Sequence, residues 1–429
     1  MKKKFDNFLY NVSVDGDKYF IAKYLLKSND MLKAASGIAI GQSIGNPNVR
    51  LNSETEELLE NHLAIILDHP ENLRNKKEAV VKIAYPIQNF DIEQDGITQL
   101  LCTVMGGQMD IEKILSCRLL DIEFPDIFSK TFKGPKIGMN EIRKRTNCNN
   151  RPLLGGIVKP KTGLDIETLK KVCKNMVIGG VDFIKEDEIL GNPSCCPFEE
   201  RVKTVNDVVQ NEAAKLNKEV FYAPCVNSDL PYLLKRIEFL VDQDIKAYHV
   251  NIWSGVSMYK YLRSFDFNIA MFYQKSGDRV ITDKNNMYSI SWGVLLKLAR
   301  MSGADFIHTG MWGGYLSDTK KDLSEWMSVL TSTHKFGFNK TVPSFSCGAH
   351  PGLVDTTVKN FGNDIMMSLG GSLHGHPEGT ISGAKAMRQA FDLNFNKKSS
   401  KTNLTEYNQA INKWGYAVSY THLRAHETG

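Results

Sequence analysis

A chain of 429 residues with 42% hydrophobic side chains can bury a large core, and it has room for a (β/α)₈ barrel of about 250 residues plus a smaller domain. Its 53 lysines and arginines against 48 acidic residues leave a formal net charge of +5, spread along the chain apart from Met1-Lys2-Lys3-Lys4, which excludes a nucleic-acid-binding stripe. No run reaches the roughly 18 to 20 apolar residues that span a bilayer, and the N-terminus lacks the apolar core and cleavage site of a secretion signal. A cytoplasmic protein with no membrane partner is expected. The eight cysteines are scattered, with only Cys195 and Cys196 adjacent, which fits reduced packing residues rather than a disulfide framework or a zinc site.

From about Phe20 to Asp126 the signals are mixed. The pattern predicts a helix over Glu54 to Leu67, a strand over Ala79 to Ile87 and a helix-period segment around Ile111 to Leu120, which together read as a small α+β domain. Phe124-Pro125 and the polar, basic run Glu141 to Asn150 are expected to separate it from the C-terminal part of the chain, placing the domain at residues 1–145.

Beyond Arg151 short apolar runs alternate with amphipathic stretches such as Ile166 to Met176, Leu230 to Val241 and Ser291 to Met301, the pattern of parallel βαβ units. Eight runs are present: Leu153 to Lys159, Val181 to Lys185, Val220 to Val226, Tyr248 to Trp253, Asn268 to Gln274, Phe306 to Thr309, Val342 to Ser346 and Ile365 to Leu369. Eight repeats predict an α/β fold in which a C-terminal (β/α)₈ TIM barrel, residues 146–416, follows the α+β N-terminal domain. Ala417 to Gly429 has no apolar period and resembles a translated sequencing-adapter tail; it is read as non-native, so His422 and His426 are given no ligand role.

In such barrels the chemistry sits where strand C-termini meet their loops. The first barrel run ends in Lys159-Pro160-Lys161-Thr162-Gly163-Leu164, where a lysine can serve as a base toward carbon next to a carbonyl or belong to a solvated basic loop. The second ends in Lys185-Glu186-Asp187-Glu188, three carboxylates around one lysine. Crowded carboxylates repel one another unless a cation neutralises them, and oxygen ligands suit magnesium; the plainer alternative is a charged helix start.

At this point the motifs become specific. KPKTGL, GGVDFIKEDE and GNPSCCPFEER, then ARMSGADFIHTG, SFSCGAHPG and LGGSLHGHPEGTISGAKAMRQA, resemble the RuBisCO large-chain family, including its RuBisCO-like members. AASGIAIGQSIG and FPDIFSKTFKGPKIGMNEIRK match the family's N-terminal domain more faintly, and INKWG resembles its closing helix. The resemblance implies that Lys185 reacts with CO₂ to form a carbamate, which joins Asp187 and Glu188 in binding Mg²⁺. A carbamate turns a cation that would repel the metal into an anion that binds it. It further implies that Lys159 moves the substrate's proton, that Lys161 tunes it, and that His308, Ser346, Gly348, Gly370 and Gly371 bind a phosphate. His350, His374 and His376 are expected to brace these loops. A head-to-tail homodimer, one subunit's N-terminal domain closing its partner's barrel, is the minimum unit the resemblance implies.

Several positions depart from the carboxylating members. Tyr315 stands where they carry a lysine on the loop after the sixth strand, and Gly41 stands at the position of its glutamate partner. Without that ammonium, CO₂ addition loses a stabilisation that elsewhere is worth about 3 to 4 kcal/mol for one donor. Gly107 and Asn46 replace a partner-subunit asparagine and a phosphate-contacting threonine, and the fifth strand end, Met271-Phe272-Tyr273-Gln274-Lys275, lacks the family's histidine and arginine. A substrate with one phosphate is expected, with Lys275 replacing one lost contact. Trp253 and Trp312 are expected to give the cavity an apolar wall.

NIWSG, FYQKSGD and GMWGGY are most similar to RuBisCO-like proteins that decarboxylate a 3-oxo sugar acid phosphate, such as 3-oxo-isoapionate 4-phosphate, through an enediolate. The alternative enzyme is an enolase or isomerase of a methylthio-sugar phosphate in methionine salvage, although that branch often places an acidic residue at the position of Lys161. Ribulose-bisphosphate carboxylation is disfavoured by Tyr315. A non-catalytic binding or regulatory barrel is disfavoured by the intact Lys185, Asp187 and Glu188.

Overall fold

The computed structural model describes residues 2–110, 114–315, 318–395 and 403–416. The segment 417–429 lies outside them. Among the described residues no helix is long and apolar enough to cross a membrane. Along the chain the strands are β1 (Tyr10–Asn11), β2 (Tyr19–Ser28), β3 (Ile65–Leu67), β4 (Glu78–Pro86), β5 (Ile114–Glu123), β6 (Leu153–Ile157), β7 (Phe183–Lys185), β8 (Phe221–Ala223), β9 (Ala247–Asn251), β10 (Ala270–Gln274), β11 (Tyr288–Ile290), β12 (Phe306–Gly310), β13 (Val342–Phe345) and β14 (Met366–Leu369).

The chain divides into two compact units. The first comprises residues up to Lys133 together with Val256–Lys260 and Gly277–Leu298. Its sheet runs β1-β3-β4-β2-β5-β11, with β2 antiparallel to both β4 and β5. In β2 alternate residues Phe20, Ala22, Tyr24 and Leu26 are buried, as a sheet with one covered face requires.

Two local expectations in this unit are corrected. The helix expected over Glu54 to Leu67 is shorter, Glu56–His62, capped by Thr55 accepting from the Leu58 amide; Ile65–Leu67 then becomes strand because it pairs with β4 on one side and β1 on the other. The segment read as helix-period around Ile111 to Leu120 is strand β5 from Ile114 onward, and residues 111–113 lie outside the described residues. The misreading has a physical cause. Opposite β2 the register slips twice, leaving Leu115 and Leu120 as extra residues, so the buried Ile114, Cys117, Leu119 and Ile122 fall three, two and three apart. Bulges thus give a strand the spacing of a helix.

The second unit, Gly134–Gly255 with Tyr261–Ser276 and the described residues from Ala299, carries an eight-stranded parallel sheet in the order β8-β7-β6-β14-β13-β12-β10-β9. Its two ends meet: the His249 amide donates to Pro224 O at 3.1 Å and the Val226 amide to His249 O at 3.1 Å, so the sheet is a nearly closed barrel. All eight runs expected to form it do so, with helices returning between them. Ile166–Gly179 shows why they start and stop where they do: Asp165 caps its first turn by accepting from the Thr168 amide at 2.7 Å, and Gly180 ends it at φ 103°, a left-handed turn in which glycine carries no Cβ penalty.

The barrel's apolar core lies at the end where strands begin. Leu153, Phe183, Phe221, Ala247, Ala270, Phe306, Val342 and Met366, the first residues of their strands, cluster there with Ile137, Met139, Ile142 and Cys148. The run Glu141 to Asn150, expected as a separating loop, therefore starts inside a helix, Gly138–Arg145; its charged residues lie along a helix whose Met139 and Ile142 plug the barrel floor. One buried carboxylate holds the plug. Asp305, at the start of β12, accepts from the Ile137 and Gly138 amides at 2.8 and 2.7 Å and from the Met271 amide of β10 at 3.0 Å. An Asp305→Ala variant strands three buried N–H groups and is expected to lose about 3 kcal/mol or more of unfolding free energy in urea titrations, whereas a loss below about 1 kcal/mol would show that the plug is held otherwise.

Candidate active site

At the opposite end of the barrel the strand C-termini surround a cavity of about 720 Å³. Lys159 and Lys161 of the segment after β6, Lys185 at the end of β7, and Asp187 and Glu188 just beyond it all line this cavity. Lys159 Nζ lies 2.7 Å from Asp187 Oδ2, and Lys185 Nζ lies 3.2 Å from Glu188 Oε2. Lys185 and Asp187 are 3% and 2% exposed, so these are charges withdrawn from water that need their partners. Burial alone would push the Glu188 carboxyl up; the Lys185 ammonium and a hydrogen bond from Ser276 outweigh it and hold Glu188 well below the usual carboxylate range.

The third carboxylate of the cluster points elsewhere. Glu186 is fully buried and accepts from Arg201 Nε at 2.9 Å, Arg201 Nη2 at 3.2 Å, the Tyr222 hydroxyl at 2.6 Å and the Cys225 amide at 2.9 Å. Arg201 and Tyr222 draw Glu186 away, so Lys185, Asp187 and Glu188 face the cavity while Glu186 faces the surrounding helix and β8.

The loops after β12, β13 and β14 supply the other wall. His308, Ser346, Gly348, Gly370 and Gly371 all line the cavity, as does Tyr315, which is 81% exposed. The loops fit closely. A Cβ on Gly348, at φ 108°, would come within 2.7 Å of the Tyr315 amide nitrogen, and one on Gly370 within 3.1 Å of Lys159 Cε. Of the bracing histidines, His374 Nε2 lies 2.9 Å from Ile157 O, His376 Nε2 lies 2.9 Å from Glu406 O, and His350 accepts from the Gly352 amide while also lining the cavity.

The expected tryptophan wall is not there. Trp253 is 61% exposed and Trp312 stacks edge-on against Phe361 at 5.8 Å, and neither lines the cavity. The apolar lining comes instead from Ile157, Phe272, Ala349 and Trp414. Lys275 also stays off the lining, its ammonium 5.2 Å from the centre of the Trp326 ring. Among the lining residues that carried no sequence signal of their own are Gln274 at the end of β10, Cys347 between Ser346 and Gly348, and Trp414 in the helix Thr405–Trp414. Their places at strand ends and in INKWG were the available clue. Cys347 holds φ 78°, unusual for a residue with a Cβ, and its Sγ lies 3.7 Å from His308 Nε2.

Burial, reinforced by the Lys275 and Lys185 ammoniums, pushes the His308 imidazole down to about 3. It is neutral at pH 7 and carries a single N–H. An unfolded histidine takes up its proton near pH 6.5, so the stability His308 contributes is present above that pH and lost as pH falls toward 3. His308→Asn is expected to flatten the decline of unfolding free energy between pH 6.5 and 4.5 in urea titrations, and an unchanged slope would show that the imidazole titrates normally.

Comparison with known proteins now decides the family. Residues 138–419 match the family model described as ribulose bisphosphate carboxylase large chain, catalytic domain, and residues 11–128 match its N-terminal domain. The chain belongs to the RuBisCO large-chain family. Among curated relatives, the 2,3-diketo-5-methylthiopentyl-1-phosphate enolase of Geobacillus kaustophilus is 30% identical over 412 residues, covering 92% of this chain and 98% of the relative. The ribulose bisphosphate carboxylase of Thermococcus kodakarensis is 30% identical over 364 residues, covering 79% and 80%. Among solved structures, octameric RuBisCO from Pyrococcus horikoshii superposes with a TM-score of 0.86 at 26% identity, covering 96% of this chain and 97% of that one. The relatives thus include both a carboxylase and an enolase at 30% identity to this chain, and family membership leaves the reaction to the site.

Proposed function

We propose that this protein is a magnesium-dependent decarboxylase of a 3-oxo sugar acid carrying one phosphate, working through an enediolate. The observation that carries the reading is one cavity lined together by two proton-carrying lysines, the Lys185, Asp187 and Glu188 cluster, and glycine-rich loops, with Tyr315 where a carboxylase needs an ammonium.

The residues fit magnesium on one condition. Among the described residues no three His, Cys, Asp or Glu side chains converge as a metal site, and Asp187 and Glu188 supply only two carboxylates. Lys185 completes the set if its amine, after losing a proton, bonds to the carbon of CO₂ and releases a second proton, which changes its charge from +1 to −1. Magnesium, when bound, would polarise the substrate's oxo and hydroxyl oxygens and stabilise the charge that develops on them.

The chain's own groups do the rest. Ser346, Gly348, Gly370 and Gly371 hold the phosphate, with His308 donating one N–H, and this fixes the sugar acid against Lys159 and Lys161. Cleavage of the carbon–carboxylate bond releases CO₂ and leaves its electron pair on the sugar carbon as the enediolate. Lys159 or Lys161 then protonates that carbon. Lys159, whose ammonium lies 2.7 Å from Asp187, would be free for this transfer if Asp187 held a metal instead. The mild positive balance of the chain suits an anionic substrate. The working unit on this reading is a head-to-tail homodimer.

Enolisation of a methylthio-sugar phosphate is the second reading, favoured by the Geobacillus kaustophilus relative. It needs the same lysines and metal ligands but breaks no carbon–carbon bond. Purified protein activated with bicarbonate and magnesium is expected to release CO₂ from 3-oxo-isoapionate 4-phosphate, and Lys185→Ala to lower the rate by at least about a hundredfold. No release, with solvent deuterium entering 2,3-diketo-5-methylthiopentyl 1-phosphate instead, would replace decarboxylation by the enolase reading.

A further inference from the structure

Gln274 ends β10 with its side chain on the cavity wall, beside Phe272, and is 5% exposed. Its Oε1 is buried and meets no hydrogen-bond donor among the described residues. The backbone beneath is held on both sides: Gln274 pairs with Asn251 of β9, and Tyr273 with Ile307 of β12. Just beyond, the Asn251 side-chain amide donates to Ser276 O at 3.3 Å, and the Ser276 side chain is bonded to Glu188. Asn251 and Ser276 are therefore committed to the loop and to the metal-ligand cluster, and Gln274 is left as an amide with an unmet acceptor at a functional cavity. An orphaned buried acceptor is a standing cost that a native fold keeps where a ligand relieves it.

The strand order gives the place. In the ring β8-β7-β6-β14-β13-β12-β10-β9, β10 stands opposite β6, which leads into Lys159, and is separated from β13 and its glycine loop by β12. Its neighbour β12 carries His308, one residue past the Tyr273–Ile307 pair, so a substrate whose phosphate meets His308 and the β13 and β14 loops and whose reacting carbon meets Lys159 carries the hydroxyls between them past Gln274. An amide oxygen accepts from a hydroxyl O–H, whereas ionised phosphate and carboxylate carry no proton to offer it at neutral pH.

We infer that Gln274 is a specificity-determining residue whose Oε1 accepts a hydrogen bond from an uncharged hydroxyl of the substrate. This deepens the proposed sugar-acid monophosphate reading and rests on it.

The test uses the full-length protein with magnesium and bicarbonate, and calorimetric titration of D-erythronate 4-phosphate and its 2-deoxy and 3-deoxy analogues, in wild type and in Gln274→Leu. The variant is expected to bind erythronate 4-phosphate roughly tenfold more weakly, and to bind one deoxy analogue as tightly as wild type does. Its ligand-free form is expected to melt at a temperature no lower than wild type, since the exchange removes an unmet acceptor. Equal weakening toward all three compounds, or a lower melting temperature of the free variant, would overturn the role of Gln274 while leaving the sugar-acid reading in place. Failure of wild type to bind any of the three would overturn both.

Discussion

The buried pair of Glu186 and Arg201 is the constraint on which the site depends. Both side chains are fully buried, and the carboxylate is shared with the Tyr222 hydroxyl and the Cys225 amide, so β7, β8 and the helix Phe198–Ala214 are tied at one point. Such a pair need not add net stability, because the cost of taking both charges out of water offsets much of their attraction. What it secures is direction. With Glu186 committed outward, its neighbours Lys185 and Asp187 are committed inward, and a run of four charged residues is sorted into three that meet the cavity and one that holds it open.

The barrel divides its interior by height. At the strand starts the rings of Phe183, Phe272 and Phe306 pack with centroids 4.6 to 6.2 Å apart, closed from below by the helix that Asp305 anchors. Phe272 belongs to both levels, since it also lines the cavity and its ring lies 5.9 Å from the Lys185 ammonium. Charged groups at the mouth therefore rest on a close-packed apolar floor, where their interactions are screened less than at the surface. Withdrawal from water lowers the His308 imidazole directly, with the ammoniums reinforcing it, whereas at Glu188 it acts upward and is outweighed by Lys185 and Ser276.

As it stands the cluster balances two ammoniums against two carboxylates, in pairs of 2.7 and 3.2 Å. On the proposed reading a change at Lys185 alone reverses that balance by two units of charge, and a divalent cation restores it. On that reading, Asp187 and Glu188 together with a carbamate on Lys185 would hold the magnesium, and Lys159 would be left for the substrate. Tyr315 sits at the rim of this arrangement, and Gln274 on the β10 wall bears no charge of its own.

Much of this was legible in the amino-acid order. Eight apolar runs at βα spacing are enough to specify a closed barrel, because each run must be buried on both faces and parallel strands need a crossover between them. The residues at their ends, Lys159, Lys161, Lys185, Asp187, Glu188, His308, Ser346, Gly348, Gly370 and Gly371, fall in one cavity for the same reason. Tertiary structure alone decided the rest. It turned Ile114–Glu123 into a strand, since bulges against β2 hide a period of two; it made Gly138–Arg145 the barrel's plug, since a basic surface masks two buried apolar residues; and it sent Trp253, Trp312 and Lys275 away from the cavity while bringing in Gln274, Cys347 and Trp414. Local sequence encodes which residues share a strand or a helix face. Which of the four charges at the end of β7 faces the substrate is encoded by where Arg201 and Tyr222 stand, and those positions exist only once the chain has closed on itself.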